Sequence, residues 1–169
     1  QAPAQDWGSR IPCMADAAYD ESLQAWRSGL DDEIRGERGP LALGGLYWLE
    51  PGINTVGSSP DCTICLPKPI PRLLGAFEFD GARVKFHADV GQTVEVNGVA
   101  IEAAANLQYE DEPGASTVRS GDVALALTRH AGRVGVRLWN AGRARAYPGR
   151  SWFDPAEDYK TQGSYTGYP

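Results

Sequence analysis

The sequence predicts an all-β fold, a sandwich preceded by an extended arm and one amphipathic helix. Three observations carry that prediction. Twenty Gly and twelve Pro in 169 residues divide the chain into short apolar runs, which favours strands over a helical bundle. Several runs are joined by hairpin dipeptides: Asp80-Gly81, Asn97-Gly98 and Ala131-Gly132. One stretch has helical period. From Tyr19 to Arg35 the residues Tyr19, Leu23, Trp26, Leu30 and Ile34 fall on one stripe at 3.6 residues per turn, and Gly36 follows as a terminator.

Taken in order, residues 1–15 read as an arm containing Pro3, Trp7 and Pro12, and 16–38 as the helical region. Asp20, Glu21, Asp31, Asp32 and Glu33 give the helix a polar side, so its stripe is expected to pack on something apolar, first of all its own domain. Residues 39–153 are the sandwich. Extended runs are expected at 41–49, 53–56, 62–66, 74–79, 82–88, 92–96, 99–102, 116–119, 122–129 and 133–139. Along 82–88, Val84 and Phe86 share one face and Lys85 and His87 the other, which makes His87 an exposed strand histidine. The tail, 154–169, carries Tyr159, Tyr165 and Tyr168 among Gly and Pro. Such a segment cannot build a core and suits a contact surface, because tyrosine combines area with a polar handle.

Charge narrows the function classes. Twenty-two acidic against sixteen basic residues leave a net charge of −6, which argues against general nucleic-acid binding. The exception is local. Between Asp122 and Asp154 there is no acid, while Arg129, Arg133, Arg137, Arg143, Arg145 and Arg150 fall there, either a solvated face or a patch for an acidic partner. The longest apolar run, Leu41 to Leu49, is far short of the ~20 residues of a membrane span. The start, Gln1-Ala-Pro-Ala-Gln, is the kind left by signal peptidase, so a periplasmic or extracellular place is expected.

Cys13, Cys62 and Cys65 allow one bridge and a leftover thiol. Read as a strand, 62–66 puts Cys62 on the face of Ile64 and Leu66, with Cys65 opposite. Cys62 is then the expected buried thiol, and the expected partner if Cys13 forms a disulfide. A zinc site would need a second pair of ligands, and His87 and His130 are single, so no metal is expected.

Two resemblances add to this. Leu23-Gln-Ala-Trp-Arg27, Gly39 to Gly52 with its Gly-Leu-Tyr-Trp-Leu core, Asn54 to Asp61, and Tyr147-Pro-Gly-Arg-Ser-Trp-Phe153 resemble the N-terminal half of the DUF1684 family. Its members are bacterial, often exported, and without an established activity. The longer ones continue into a second half with an Asn-Pro-Pro-Cys-like motif that this chain lacks. Within that region, Gly52 to Ile101 resembles a forkhead-associated (FHA) domain, an eleven-strand sandwich that grips phosphothreonine. Val56-Gly57, Ile64-x-Leu66-Pro67 and Val96-Asn97-Gly98 carry the scaffold likeness. The ligand side departs from it. Gly57-Ser58 stands where the family has Gly-Arg, and Pro71-Arg72-Leu73-Leu74 where it has Ser-Arg-x-His. That removes most of the charge-assisted bonding that phosphate recognition requires.

The resulting expectation is a non-catalytic interaction or accessory subunit of a larger envelope assembly, binding protein and needing no cofactor. Its candidate contact residues are Trp7, Arg72, Asn97, Tyr159, Tyr165 and Tyr168. Against it stand a small-ligand sandwich, signalled by a pocket on Trp48, Trp139 or Trp152, and a hydrolase. The hydrolase would have to pair Ser58, Ser59, Cys62 or Cys65 with His87 or His130, with no supporting motif.

Overall fold

A computed structural model describes residues 14–152, with side chains from residue 18 onward. Trp7, Cys13, Tyr159, Tyr165 and Tyr168 lie outside the described residues. Helix α1 spans Met14–Arg35, and the strands are β1 Leu43–Trp48, β2 Gly52–Gly57, β3 Ile64–Cys65, β4 Gly75–Phe79, β5 Val84–Ala88, β6 Val94–Val96, β7 Val99–Ile101, β8 Ala104–Leu107, β9 Thr117–Ser120, β10 Val123–His130 and β11 Arg133–Asn140. A short helix α2, Ala141–Arg145, follows β11. Strands β1-β11-β10-β9-β6-β7 form one sheet and β3-β2-β4-β5-β8 the other. The fold is a β-sandwich of six and five strands preceded by a helix.

The core lies between the sheets. Phe77 and Phe86 are direct cross-strand partners on β4 and β5, with ring centroids 5.0 Å apart in an edge contact. Val56, Ile64, Leu74, Leu125, Leu127 and Val136 close around them. Strand β10 is buried on both faces over Val123 to Thr128. Val123, Leu125 and Leu127 face the sandwich interior, while Ala124 and Ala126 join Ala42, Trp139 and Ala144 in a second cluster. Ala124 lies opposite Trp139 in the β10–β11 register. Its methyl group leaves the space that the indole fills.

The hairpin signals act through backbone sign. Asn97 and Gly98 have φ of 54° and 79°, and Ala131 and Gly132 have φ of 49° and 75°, the two left-handed positions of a type I′ turn. At the β4–β5 turn Asp80 Oδ1 accepts from the N–H groups of Ala82 (2.8 Å) and Arg83 (2.6 Å). Those backbone donors, Arg83's first, hold its carboxyl below the usual range.

Three differences from the sequence reading stand out. β8, Ala104–Leu107 at the end of an alanine run, is not expected from the sequence, because alanine has little strand preference. It forms by pairing with β5. β3 contracts to two residues, because Cys62 and Thr63 still belong to the bend that follows β2. The third concerns α1, which does not lay its stripe on the sandwich. Tyr19 and Trp26 are 43% and 57% exposed, and Leu23, Leu30 and Ile34 are only half-buried.

Asn54 is buried and spans the β1–β2 turn, its Oδ1 accepting from Glu50 N (3.0 Å) and its Nδ2 donating to Glu50 O (2.8 Å). Asn54→Ala strands both Glu50 groups and is expected to cost about 1–3 kcal/mol in urea unfolding. Val90→Ser, at a fully solvated position, should stay within about 0.5 kcal/mol of wild type.

Candidate functional site

The loops after β2 and β3 meet at one end of the sandwich. Ser58 N donates to Pro71 O (2.8 Å), Ser59 N to Arg72 O (3.0 Å) and Leu74 N to Val56 O (2.8 Å). The two backbones run so close that a Cβ on Gly57 would sit 2.2 Å from Arg72 O. Glycine is therefore required here by packing. Beside this zipper is a cavity of about 280 Å³ bordered by Thr55, Ser59, Asp61, Cys62, Arg72 and Leu73. Ser59 Oγ donates to Asp61 Oδ2 (3.1 Å). Arg72 thus shares the cavity with a carboxylate, and the serine hydroxyl is already engaged by it.

The sequence-derived candidates separate here. Arg72 and Cys62 come together, with Cys62 Sγ donating to Arg72 O at 3.5 Å. Asn97 does not join them: its Oδ1 accepts from Thr117 N (2.8 Å), tying the β6–β7 turn to β9. Cys62 is half-buried rather than buried, since it precedes the strand whose alternation was to bury it. Cys65 is exposed, opposite Ile64 as the alternation predicts, and both thiols are free. Cys13, the proposed bridge partner, lies outside the described residues. Asp61 was not singled out from the sequence, and only its place two residues after Ser59 could have signalled the contact.

Neither histidine reaches these groups by a hydrogen bond among the described residues. His87 Nε2 lies 2.7 Å from Glu78 Oε2 on the outer face of the five-stranded sheet. His130 ends β10 at the tip of the hairpin. Trp139 is buried against alanines and Trp48 lies under the Arg133 guanidinium at 4.4 Å, so neither borders the cavities described here.

The arginine-rich stretch resolves into local pairs. Arg129 meets Glu112 (2.7 Å) and covers the Tyr109 ring at 3.5 Å. A hydrogen bond from Tyr109 N, then the Arg129 guanidinium, holds the Glu112 carboxyl below the usual range. Arg137 meets Glu110 (3.1 Å), Arg145 meets Asp122 (2.5 Å) and Arg150 approaches Asp31 (3.9 Å). The acids come from other parts of the chain. The solvated, paired reading of this stretch fits these four.

A second surface is aromatic. Trp152 packs on α1, its ring centroid 5.7 Å from that of Trp26, with the guanidiniums of Arg27 and Arg150 at 5.2 and 5.6 Å from its ring. Arg35 lies 5.8 Å from the Tyr147 ring. The segment after α2 therefore seats against the helix. Outward, Trp26 stays open.

The class that these strands define is a two-sheet β-sandwich. Known structures with related layouts include the FHA-2 domain of a Mycobacterium tuberculosis ABC transporter, at 21% identity and TM-score 0.39, covering 53% of this chain and 77% of that one. The FHA domain of a Chlamydia trachomatis protein is 17% identical at TM-score 0.38, covering 56% and 94%. The cytoplasmic domain of the sorting platform protein PscD from P. aeruginosa is 18% identical at TM-score 0.37, covering 72% and 84%. No family model matches the chain, and no curated protein matches it. Nothing about ligands is taken from these proteins.

With Asp61 in the same cavity as Arg72 and Ser58 where the FHA likeness would have an arginine, a phosphothreonine peptide library should bind no tighter than about millimolar, some 4 kcal/mol. Micromolar binding that vanishes in Arg72→Ala would reverse this reading of the apical loops.

Proposed function

We propose that the chain is a non-catalytic interaction module, an accessory subunit of a larger assembly. The observation that carries it is the open aromatic side of α1. A helix of 22 residues draws most of its stability from packing, yet its stripe leaves Tyr19 and Trp26 in solvent. Trp26, Trp152, Arg27 and Arg150 make a cluster of the residue types enriched at interface hot spots. The sandwich below is a rigid support. The non-catalytic reading is supported by the engagement of the candidate groups elsewhere: Ser59 on Asp61, His87 on Glu78.

A place in the cell envelope, exported, is part of the proposal, and its support is the likeness of the quoted segments to DUF1684. Among the described residues no helix is long and apolar enough to cross a membrane. The terminal segments with Trp7, Tyr159, Tyr165 and Tyr168 are proposed to extend the same contact surface. Ordering them costs roughly 1–2 kcal/mol per residue, which a partner surface would offset.

The test is native purification of the intact protein from the cells that make it. Wild type is expected to elute with a fixed partner, and Trp26→Glu to lose it with an unchanged melting temperature, because Trp26 contributes little to the core. A wild-type protein that elutes as a lone monomer, or a complex indifferent to Trp26→Glu, would end the proposal.

A further inference from the structure

Opposite walls of a trough are formed by β3 with the loop after it and by β1, the end of β11 and α2. It consists of two cavities, of about 520 and 370 Å³, that share Asn140 and Arg143. The smaller is lined by Tyr47, Cys65, Leu66 and Leu138, and the larger by Lys68, Ile70 and Val123. These volumes suit a small molecule. The Tyr47 hydroxyl donates to Cys65 O (3.0 Å), joining the two sheet edges across the smaller cavity. Burial, with the Cys65 thiol beside it, pushes the phenol up, so it remains a donor.

The charges in this trough differ from those on most of the arginine-rich stretch, where only Arg133, which lies over Trp48, also has no carboxylate among the described residues. Arg129, Arg137, Arg145 and Arg150 each have a carboxylate. Arg143 has none among the described residues; its Nη1 reaches only Leu43 O at 3.4 Å. Lys68 likewise has no carboxylate partner there. The acid that borders the larger cavity, Asp122, is taken by Arg145 at 2.5 Å. It is pressed against backbone as well, since a Cβ on Gly142 would lie 2.7 Å from Asp122 Oδ2. Two cations thus flank an otherwise largely apolar trough, and a planar guanidinium matches a carboxylate or phosphate with paired hydrogen bonds.

We propose that the trough binds a small amphiphilic anion, its carboxylate or phosphate head on Arg143 and Lys68 and its apolar body against Leu66, Leu138 and Tyr47. The trough shares no lining residue with the apical cavity or with the aromatic cluster on α1, and it stands or falls apart from the interaction role.

Cys65 lines the smaller cavity and is exposed, which makes it a reporter. In the full chain carrying Cys13→Ser and Cys62→Ser, the rate of maleimide labelling at Cys65 would be measured with decanoate, decyl phosphate and decyltrimethylammonium, alongside calorimetric titration of each. At least one of the two anions is expected to bind and to slow labelling about tenfold or more at saturation. The cation should do neither. Arg143→Gln and Lys68→Gln should each weaken anion binding, Arg143→Gln by roughly tenfold or more, with the melting temperature unchanged. If Arg143→Gln unfolds the chain, Lys68→Gln carries the comparison. The proposal is overturned if neither anion binds, if the cation binds as well as the anions, if binding leaves Cys65 labelling unchanged, or if neither folded variant alters affinity.

Discussion

The burial of β10 on both faces is the constraint from which the rest of the molecule follows. A strand covered on one side can alternate apolar with polar residues; β10 cannot, and reads Val-Ala-Leu-Ala-Leu-Thr from Val123 to Thr128. The large residues meet the other sheet and the small ones accept Trp139, Ala42 and Ala144. A larger residue at Ala124 would displace the indole and with it the α2 region, because Ala144 packs in the same cluster. The indole also supports the chain after α1, since the Arg38 guanidinium lies 5.1 Å from its ring.

The position of α2 then sets both outward-facing surfaces. Asn140 ends β11 and caps α2, its Oδ1 accepting from Arg143 N at 3.3 Å. That cap fixes where Arg143 departs from the sheet, and so where the trough has its cation. Beyond α2, Tyr147 and Trp152 reach α1. Among the described residues the helix is thus held from one side by the end of the sandwich domain, with Tyr19 and Trp26 left exposed. Opposite requirements rule the apical loops. There the backbones of Gly57 to Ser59 and Pro71 to Arg72 bond directly to each other, and those backbone donors are spent within the protein.

Much of the fold was legible because it is encoded locally. The hairpins at Asn97-Gly98 and Ala131-Gly132 follow from left-handed φ, and the opposed faces of β5 from strict alternation. What failed depended on distant partners. Ala104 to Leu107 becomes a strand because β5 presents an open edge, and Cys62 leaves the strand because the loop closes on Arg72. The candidate site was legible only in part. Arg72 was named through the FHA likeness, whereas Cys62 was read as a buried strand thiol and met Arg72 only in the fold; the acids that neutralise the arginine run come from residues 31, 110, 112 and 122. Spacing within the run could not reveal which arginines, Arg133 over Trp48 and Arg143 at the trough, would have no carboxylate among the described residues.

Net charge decides what kind of anion such a leftover arginine could hold. At −6 overall the long-range field opposes anions, yet at physiological salt it is screened beyond about 8 Å. Attraction must therefore come from contacts inside the trough, where Arg143 and Lys68 act at close range with part of the water displaced. A bare phosphate would gain from those two groups alone and would lose its hydration. An anion with an apolar body gains in addition from covering Leu66 and Leu138, at roughly 25 cal/mol per Å² of apolar surface removed from water. The arrangement favours the amphiphile over the inorganic ion for the same reason that β10 could be buried on both faces: apolar contact supplies most of the free energy, and polar groups fix the direction.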